Sequence, residues 1–462
     1  MLLNHVDKLE TAYHRLPVWL QNVALSGLGY HIKFKRYNGA FFHALRGMQE
    51  RDTWSAEQLR DYLDQTVQSY VHHAATTVPY YRALFKREGI APSDVSTAAD
   101  LARLPILRKQ QVQDRVTDFI SEAVPKSQII RVETSGSTGA GLPVYVTMQA
   151  LRLQWAVWWR HRLRHGIAFR TPCVIFRGMA LFPADQNAPP YCRYNHAERQ
   201  VYVNGNQIHA ASMPHILADF NRRRIQWFHG YPSTVTALAL LMLEHDVRLD
   251  YPLRWISLSS EQVLDHQIEA IENAFGITPI HHYGMVEAIG NISQDPDGAS
   301  YVDEDFGALE LASDEKSGLC SIIGTNLTNP AFPLIRYQMD DLVQFDGQRD
   351  GRGRRIVDRV HGRRDDYVVL SNGARVGRLD FLFMGNANVR EAQVVQHRLG
   401  EIVIRIVRGG AYTDADESRI RSRAARRLGS EIGIRFEYVA AIERGSSGKM
   451  RHVLSHLPEG QL

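Results

Sequence analysis

The residues predict an α/β protein, a large body with parallel or mixed sheets followed by a small α+β C-terminal domain. Three observations carry this. From Leu101 onward, short apolar runs alternate with amphipathic stretches of helical length; a strand-free helical segment precedes them; and the texture turns Gly/Arg-rich after Asp340-Asp341. Parallel strands need crossover connections, so the alternation reads as a sheet covered on both faces.

Taken in order, residues 10–90 read as helical, with few Pro or Gly and with apolar spacings such as Leu59, Tyr62, Leu63 and Val67. The most apolar early stretch, residues 18–28, is interrupted by Gln21, Asn22 and Ser26. It is shorter than the about 20 apolar residues that span a bilayer. The basic run 31–36 follows it, so a helix packed on the main body is expected, with peripheral membrane association as the alternative. Residues 171–178, 224–230, 253–259 and 277–284 look like buried strands. Pro232 opens a helix that runs to His245, and Leu264, Ile268, Ile271 and Phe275 mark another. After the turns at 348–355 and 361–366 come a strand at 401–407, a helix at 414–428 and a strand at 434–441. The expected organisation is an N-terminal helical region of the large domain at 1–100, a core at 101–362 and a small mobile domain at 363–462.

Composition excludes several classes. With 54 basic and 50 acidic residues in 462, the net charge of +4 is too even for a nucleic-acid binder. Cys173, Cys192 and Cys320 form no CxxC pair, which argues against a disulfide framework or a structural zinc site. Cys192 and His196 stand at helical spacing, but two ligands do not close a zinc site, and two surface residues is the plainer reading. The first ten residues lack the apolar run of a signal peptide, and no transmembrane segment is expected, so the expected location is cytoplasmic.

Chemistry concentrates first at residues 134–143, TSGSTGAGLP, where three glycines and four hydroxyls fall in ten residues. Such a loop can turn backbone N–H groups and hydroxyls toward phosphate oxygens. A flexible Gly/Ser turn explains the composition equally well. The flanking runs 129–132 and 144–147 look like strands, so the loop is a hairpin rather than a Walker P-loop, and the P-loop lysine is missing.

TSGSTG is followed in order by YGMVEA at 283–288, RYQMDD at 336–341, HGRRDD at 361–366 and SSGK at 446–449. This set resembles the adenylate-forming (AMP-binding) superfamily, in particular phenylacetate-CoA ligase-like proteins, including those linked to capsular polysaccharide synthesis. The segments VPYYRALFKREGI at 78–90 and LARLPILRKQQV at 101–112 resemble the region that precedes the phosphate loop in that family. The resemblance implies a large multi-layer N-terminal domain, a small C-terminal one, and an AMP-forming ligase that uses ATP and Mg²⁺.

Residue by residue, the resemblance implies that Thr134, Ser135, Gly136, Ser137, Thr138 and Gly139 hold the β- and γ-phosphates and that Glu287 binds Mg²⁺. It places Tyr283 and Gly284 on adenine, with Ser260 and Glu261, after Ser259, lining the nucleotide pocket. Asp341 accepts from the ribose hydroxyls, with Asp340 as the neighbouring alternative, and Arg363 lies near the ribose and phosphate. Gln338-Met339 replace the family's usual Arg-Thr. Asp365 is the hinge, and Lys449 is the principal catalytic cation, a role that suits an ammonium on a long stem. His229, Gly230 and Tyr231, where a strand meets a helix, form the acid pocket, although His229 reads equally well as a core histidine. Plainer readings stand beside these: a tyrosine ending a buried strand is core, and an isolated glutamate or an SGK lysine is solvated. Trp155, Trp158 and Trp159 at helical spacing read as packing, and the Arg-rich stretch 419–427 as a solvated face.

The expected reaction joins a small carboxylic acid to AMP and passes the acyl group to CoA or another thiol. Alternatives are an adenylating enzyme of surface polysaccharide biosynthesis with a sugar amine or hydroxyl as acceptor, a non-catalytic nucleotide-binding module, and a Walker-type kinase releasing ADP.

Overall fold

A computed structural model describes residues 12–133, 142–177, 181–183, 186, 188–314, 319–363, 367–370, 375–377, 379–383, 388–428, 431–444 and 450–457. The chain packs as two compact units, one built from Tyr30–Phe169 and His282–His361, the other from Leu2–Gly29, Arg170–His281 and Gly362–Leu462. It is an α/β fold.

In the first unit the helices Gly39–Arg51, Ala56–Thr77, Pro79–Glu88 and Met148–Arg164 precede or flank two antiparallel sheets. Ser55 and Gln58 close a capping box on Ala56–Thr77, which satisfies N–H groups that a helix start leaves open. That helix buries Val67, Tyr70, Val71, Ala74 and Ala75; of the residues that marked the apolar spacing, Val67 is buried and Leu59, Tyr62 and Leu63 are half-buried. One sheet contains Ala308–Asp314, Leu319–Thr325, Tyr337–Gln344 and Arg359–Arg363 in that order. Val67, Phe119, Val144, Ile322 and Phe332 share its core. Strands Ile129–Glu133 and Pro143–Thr147 pair antiparallel from Ile129↔Thr147 to Glu133↔Pro143, the expected hairpin. Arg160 is buried with its guanidinium on Asp303 at 2.9 Å and Asp305 at 2.7 Å. Burial alone would raise the Asp305 carboxyl, but Arg160 and Arg51 outweigh it and hold the group well below the usual range.

In the second unit the strands run Cys192–Asn195, Gln200–Asn204, Cys173–Arg177, Trp227–Gly230 and Trp255–Leu258 across one sheet, parallel except for the antiparallel edge Cys192–Asn195. Ile280 and His281 add a further parallel pairing to Ser257 and Leu258. Helices Pro232–Glu244 and Asp265–Phe275 make the crossovers. The predicted runs contain these strands but are longer at their ends. The helical spacing read into Cys192 and His196 is corrected here: Cys192 opens a strand, so residues four apart do not stack on one helical face. Burial raises the Cys192 thiol far above its ordinary value. The C-terminal part carries a sheet ordered Gly433–Tyr438, Glu401–Arg408, Val389–Arg398, Val453–Ser455, and the helix Asp414–Leu428 shares its core through Ile420, Ala424 and Leu428. Among the described residues, no helix is long and apolar enough to cross a membrane.

Candidate active site

The first unit brings Tyr283 and Asp341 together. Tyr283 lies on the strand Ile280–Gly284, where it opposes Ile292, and its hydroxyl donates to Asp341 Oδ2 at 2.5 Å. Asp341 owes its position to a bulge. Gln338 opposes Ile323 and Leu342 opposes Ser321, so Met339, Asp340 and Asp341 occupy the space opposite Ile322 alone. Extra residues of this kind re-aim side chains that a regular ladder would fix.

Gly284 follows Tyr283. A Cβ there would come within 2.9 Å of Asn291 Oδ1 and 3.1 Å of the Trp158 indole nitrogen, so no side chain fits without displacing one of them. The next residues turn sharply: the N–H of Ala288 donates to the carbonyl of Met285 at 3.2 Å, and Ala288 has φ +53. Two buried amides hold this turn. Gln154 Nε2 donates to the Met285 carbonyl at 2.6 Å, and Asn326 Nδ2 to the Glu287 carbonyl at 3.2 Å. Asn326 Oδ1 in turn accepts from the Tyr70 hydroxyl at 2.7 Å and from the Leu334 N–H at 2.8 Å. Glu287 is therefore a carboxylate 7% exposed on a backbone fixed from both sides.

Residues adjacent along a strand point to opposite faces, so His282 faces away from Tyr283. Its ring lies 5.9 Å from Trp158 and 5.3 Å from His161. Trp155 and Trp158 pack edge to face at 5.1 Å, in keeping with the packing role read for that cluster. His161 is buried, and among the described residues neither ring nitrogen has a hydrogen-bond partner. Burial, and then the neighbouring His282 and His165, holds its pKa well below the ordinary value of 6.5.

The second unit gathers a different set. His229 Nδ1 is 2.9 Å from Ser257 Oγ, which also accepts from the Trp227 indole at 2.8 Å. Gly230 sits where a Cβ would meet Phe176 Cβ at 2.6 Å, and buried Tyr231 is the residue before the helix Pro232–Glu244. Ser260 has φ +71, a left-handed conformation uncommon for a side-chain-bearing residue and frequent where a site stores strain. Beside it, Glu261 accepts from two backbone N–H groups, Ser233 at 3.1 Å in the first turn of that helix and Met450 at 2.9 Å. Arg444 donates to Ser233 Oγ at 2.7 Å and also pairs with Glu391. Residues 444 and 450, which flank the GSSGK segment, are thus tied to the same helix start, Arg444 directly and Met450 through Glu261.

Thr134, Ser135, Gly136, Ser137, Thr138, Gly139, Asp365 and Lys449 lie outside the described residues, as does the side chain of Arg363, whose backbone ends the strand Arg359–Arg363. Sequence reasoning missed Gln154, Asn326, Ser233, Arg444 and Glu391. Arg444 carried a usable signal, since it directly precedes GSSGK, and so did Ser233, in the Pro-led first turn of a helix. The amides carried none. Among the described residues no group of three or more His, Cys, Asp or Glu could hold a metal ion.

Residues 368–456 match the family described as CapK C-terminal domain. The chain is 21% identical to Protein CapK of Staphylococcus aureus, over 97% of this chain and 100% of that one. It is 26% identical to phenylacetate-coenzyme A ligase of Escherichia coli (strain K12), over 69% of this chain and 74% of that enzyme. In fold it is similar to 2-hydroxyisobutyryl-CoA ligase in the postadenylation state, with a TM-score of 0.66, 18% identity, and coverage of 88% of this chain and 91% of that one. With five motifs in order and this fold beneath them, the chain is similar over most of its length to CapK and to phenylacetate-CoA ligases, and in fold to an adenylate-forming CoA ligase.

Proposed function

We propose that the chain activates a small carboxylic acid with ATP and passes the acyl group to CoA or another thiol. A carboxylate oxygen attacks the α-phosphorus, the bond to the β-phosphate breaks and pyrophosphate leaves. The thiol sulfur then attacks the acyl carbon, loses its proton, and releases AMP. The observation that carries this reading is the Tyr283–Asp341 hydrogen bond, which joins the adenine and ribose positions of two motifs 58 residues apart. The relatives and the solved structures support the same chemistry: one likeness is to a CoA ligase in complex with an acyl-AMP.

Asp341 would accept from the ribose hydroxyls and Tyr283 would pack on adenine, while residues 134–139 and Arg363 would carry the phosphate contacts. Glu287 fits a Mg²⁺ site, because a hard cation on nucleotide phosphates takes one or two carboxylates and completes its shell with phosphate oxygens and water. When bound there, the ion would screen phosphate charge. Lys449 would bring its ammonium to the carboxylate and α-phosphate. The bond of Glu261 to Met450 and that of Arg444 to Ser233 support this reading, since they fix the described residues on either side of the GSSGK segment. Residues 363–462 would form the mobile small domain with Asp365 as hinge, and His229, Gly230 and Tyr231 would border the acid.

The acceptor has a second reading. The likeness to CapK runs over 97% of the chain, so a sugar amine or hydroxyl of surface polysaccharide synthesis is kept beside CoA. Pyrophosphate exchange with ATP, Mg²⁺ and a panel of carboxylates tests the first half-reaction. AMP and pyrophosphate are expected, and ADP would instead indicate a kinase. Lys449→Ala should lose exchange by a factor on the order of a hundred or more while still binding ATP; unchanged exchange removes Lys449 from the mechanism. Adding CoA or amino sugars to the acyl-AMP then separates the acceptors.

A further inference from the structure

The helix Val18–Arg36 is turned inside out relative to an ordinary surface helix. Its buried residues are Gln21, Leu25, Ser26 and Gly29. Its polar side chains serve the edge strand Cys192–Asn195: Gln21 Oε1 accepts from Arg193 Nε at 2.5 Å, Asn22 Oδ1 from the Tyr194 N–H at 2.8 Å, and Ser26 Oγ from the His196 N–H at 3.0 Å. An open sheet edge is thereby covered. The interruptions that spoiled this stretch as an apolar segment are the contacts that hold it.

Leu25 is buried, but the large apolar residues Trp19, Val23, Tyr30 and Phe34 face outward. Trp19 is 65% exposed, Val23 60%, Tyr30 47% and Phe34 73%, and Leu16 just before the helix is 37% exposed. At 3.6 residues per turn the four on the helix, Trp19, Val23, Tyr30 and Phe34, fall within an arc of about 60°. They form a continuous stripe, unlike the scattered single apolar residues of an ordinary surface. Charge along this stretch of chain has one sign. Between Glu10 and Glu50 there is no Asp or Glu, whereas Arg15, Lys33, Lys35, Arg36 and Arg46 occur. The basic residues of the helix collect in its last turn, and Lys33 lies 5.7 Å over the Tyr30 ring.

We infer that this face docks on the surface of an anionic lipid bilayer, with Trp19, Val23, Tyr30 and Phe34 set among the headgroups and Lys33, beside the Tyr30 ring, on lipid phosphates. Aromatic and aliphatic side chains on one face with lysines alongside are the composition that binds such interfaces. One-signed charge distinguishes this occupant from a second copy of the chain, whose identical basic face would repel it. The inference does not depend on the proposed reaction.

The test is co-sedimentation of the full chain with vesicles of phosphatidylcholine containing phosphatidylglycerol, compared with phosphatidylcholine alone. Binding to the anionic vesicles is expected, falling on the order of tenfold at high salt. Trp19→Ser with Phe34→Ser should weaken it on the order of tenfold, as should Lys33→Glu with Lys35→Glu. Both variants alter outward-facing residues, so pyrophosphate exchange and melting temperature are expected to stay unchanged. No binding of the unaltered chain to anionic vesicles overturns the inference, as does equal binding by the variants. Sedimentation showing a dimer that Trp19→Ser with Phe34→Ser dissociates would instead assign the stripe to a second copy.

Discussion

The corner around Tyr283 and the corner around Glu261 are built by opposite means. In the first, the Glu287 turn is held by neutral amides, Gln154 and Asn326, that donate to backbone carbonyls. In the second, a carboxylate and a guanidinium hold the backbone and hydroxyl of one helix start, and Glu391 completes the pair. Neutral hydrogen bonds are individually weak but insensitive to salt, and they cost heavily when a buried partner is deleted. Charge-assisted bonds are stronger and reach partners on long side chains, but ions screen them near the surface. The first corner is therefore suited to fixed geometry, and the second to a contact that can be made and released.

Asn326→Ala should break the comparison most severely. It removes the bonds that Asn326 makes to the Leu334 N–H and to the carbonyls of Glu287 and Phe332, and leaves the Tyr70 hydroxyl only the Asn329 carbonyl, so the loss should reach about 3 kcal/mol or more in denaturant unfolding. A loss under about 1 kcal/mol would show the turn to be held by other means. Glu261→Ala should cost about 2 kcal/mol of barrier, roughly thirtyfold in pyrophosphate exchange, with little change in unfolding. High salt should slow the unaltered enzyme in the same direction; a purely structural Glu261 would lower stability and leave the exchange rate per folded molecule unchanged.

Tyr283→Phe comes next, with about 1 kcal/mol and a few-fold rise in the KM for ATP. Combined with Asp341→Asn in a double-mutant cycle, it should show coupling; additive effects would mean that the observed bond does no work in nucleotide binding. The smallest effect concerns acid. Burial keeps His161 neutral in the folded chain, so below its ordinary value of 6.5 the unfolded chain takes up a proton that the folded one refuses. This contribution is complete above pH 6.5 and falls away as the pH drops, by about 1 kcal/mol per unit once uptake is under way. His161→Phe should flatten the decline of the melting temperature between pH 7 and 5.5, and an unaltered slope would place the acid sensitivity elsewhere.

Much of this was legible in the residues, and what was legible was local. The apolar runs gave the strands Cys173–Arg177, Trp227–Gly230, Trp255–Leu258 and Ile280–Gly284. The Gly/Ser segment announced a hairpin through its flanks, and the motifs singled out Tyr283 and Asp341, though not the bond between them. The partners of Glu261 could not be read, because Met450 lies 189 residues away, and Arg444 reaches Ser233 across 211. Asn326 was invisible for a different reason: an amide acting as a hub has no sequence pattern beyond being an Asn. The helix Val18–Arg36 ran against its own composition, since its polar residues were needed by a sheet edge that only the fold reveals.

The bulge at Met339–Asp341 also constrains how this strand can change over generations. Side chains along a strand alternate faces, so removing one residue here would turn Leu342, Val343 and Gln344 over and put buried Val343 into solvent. Removing two would restore an even ladder and keep those three as they are, at the expense of the acidic pair. Lineages that discard the nucleotide chemistry but keep the fold should therefore show paired deletions at this place, and single ones should be rare.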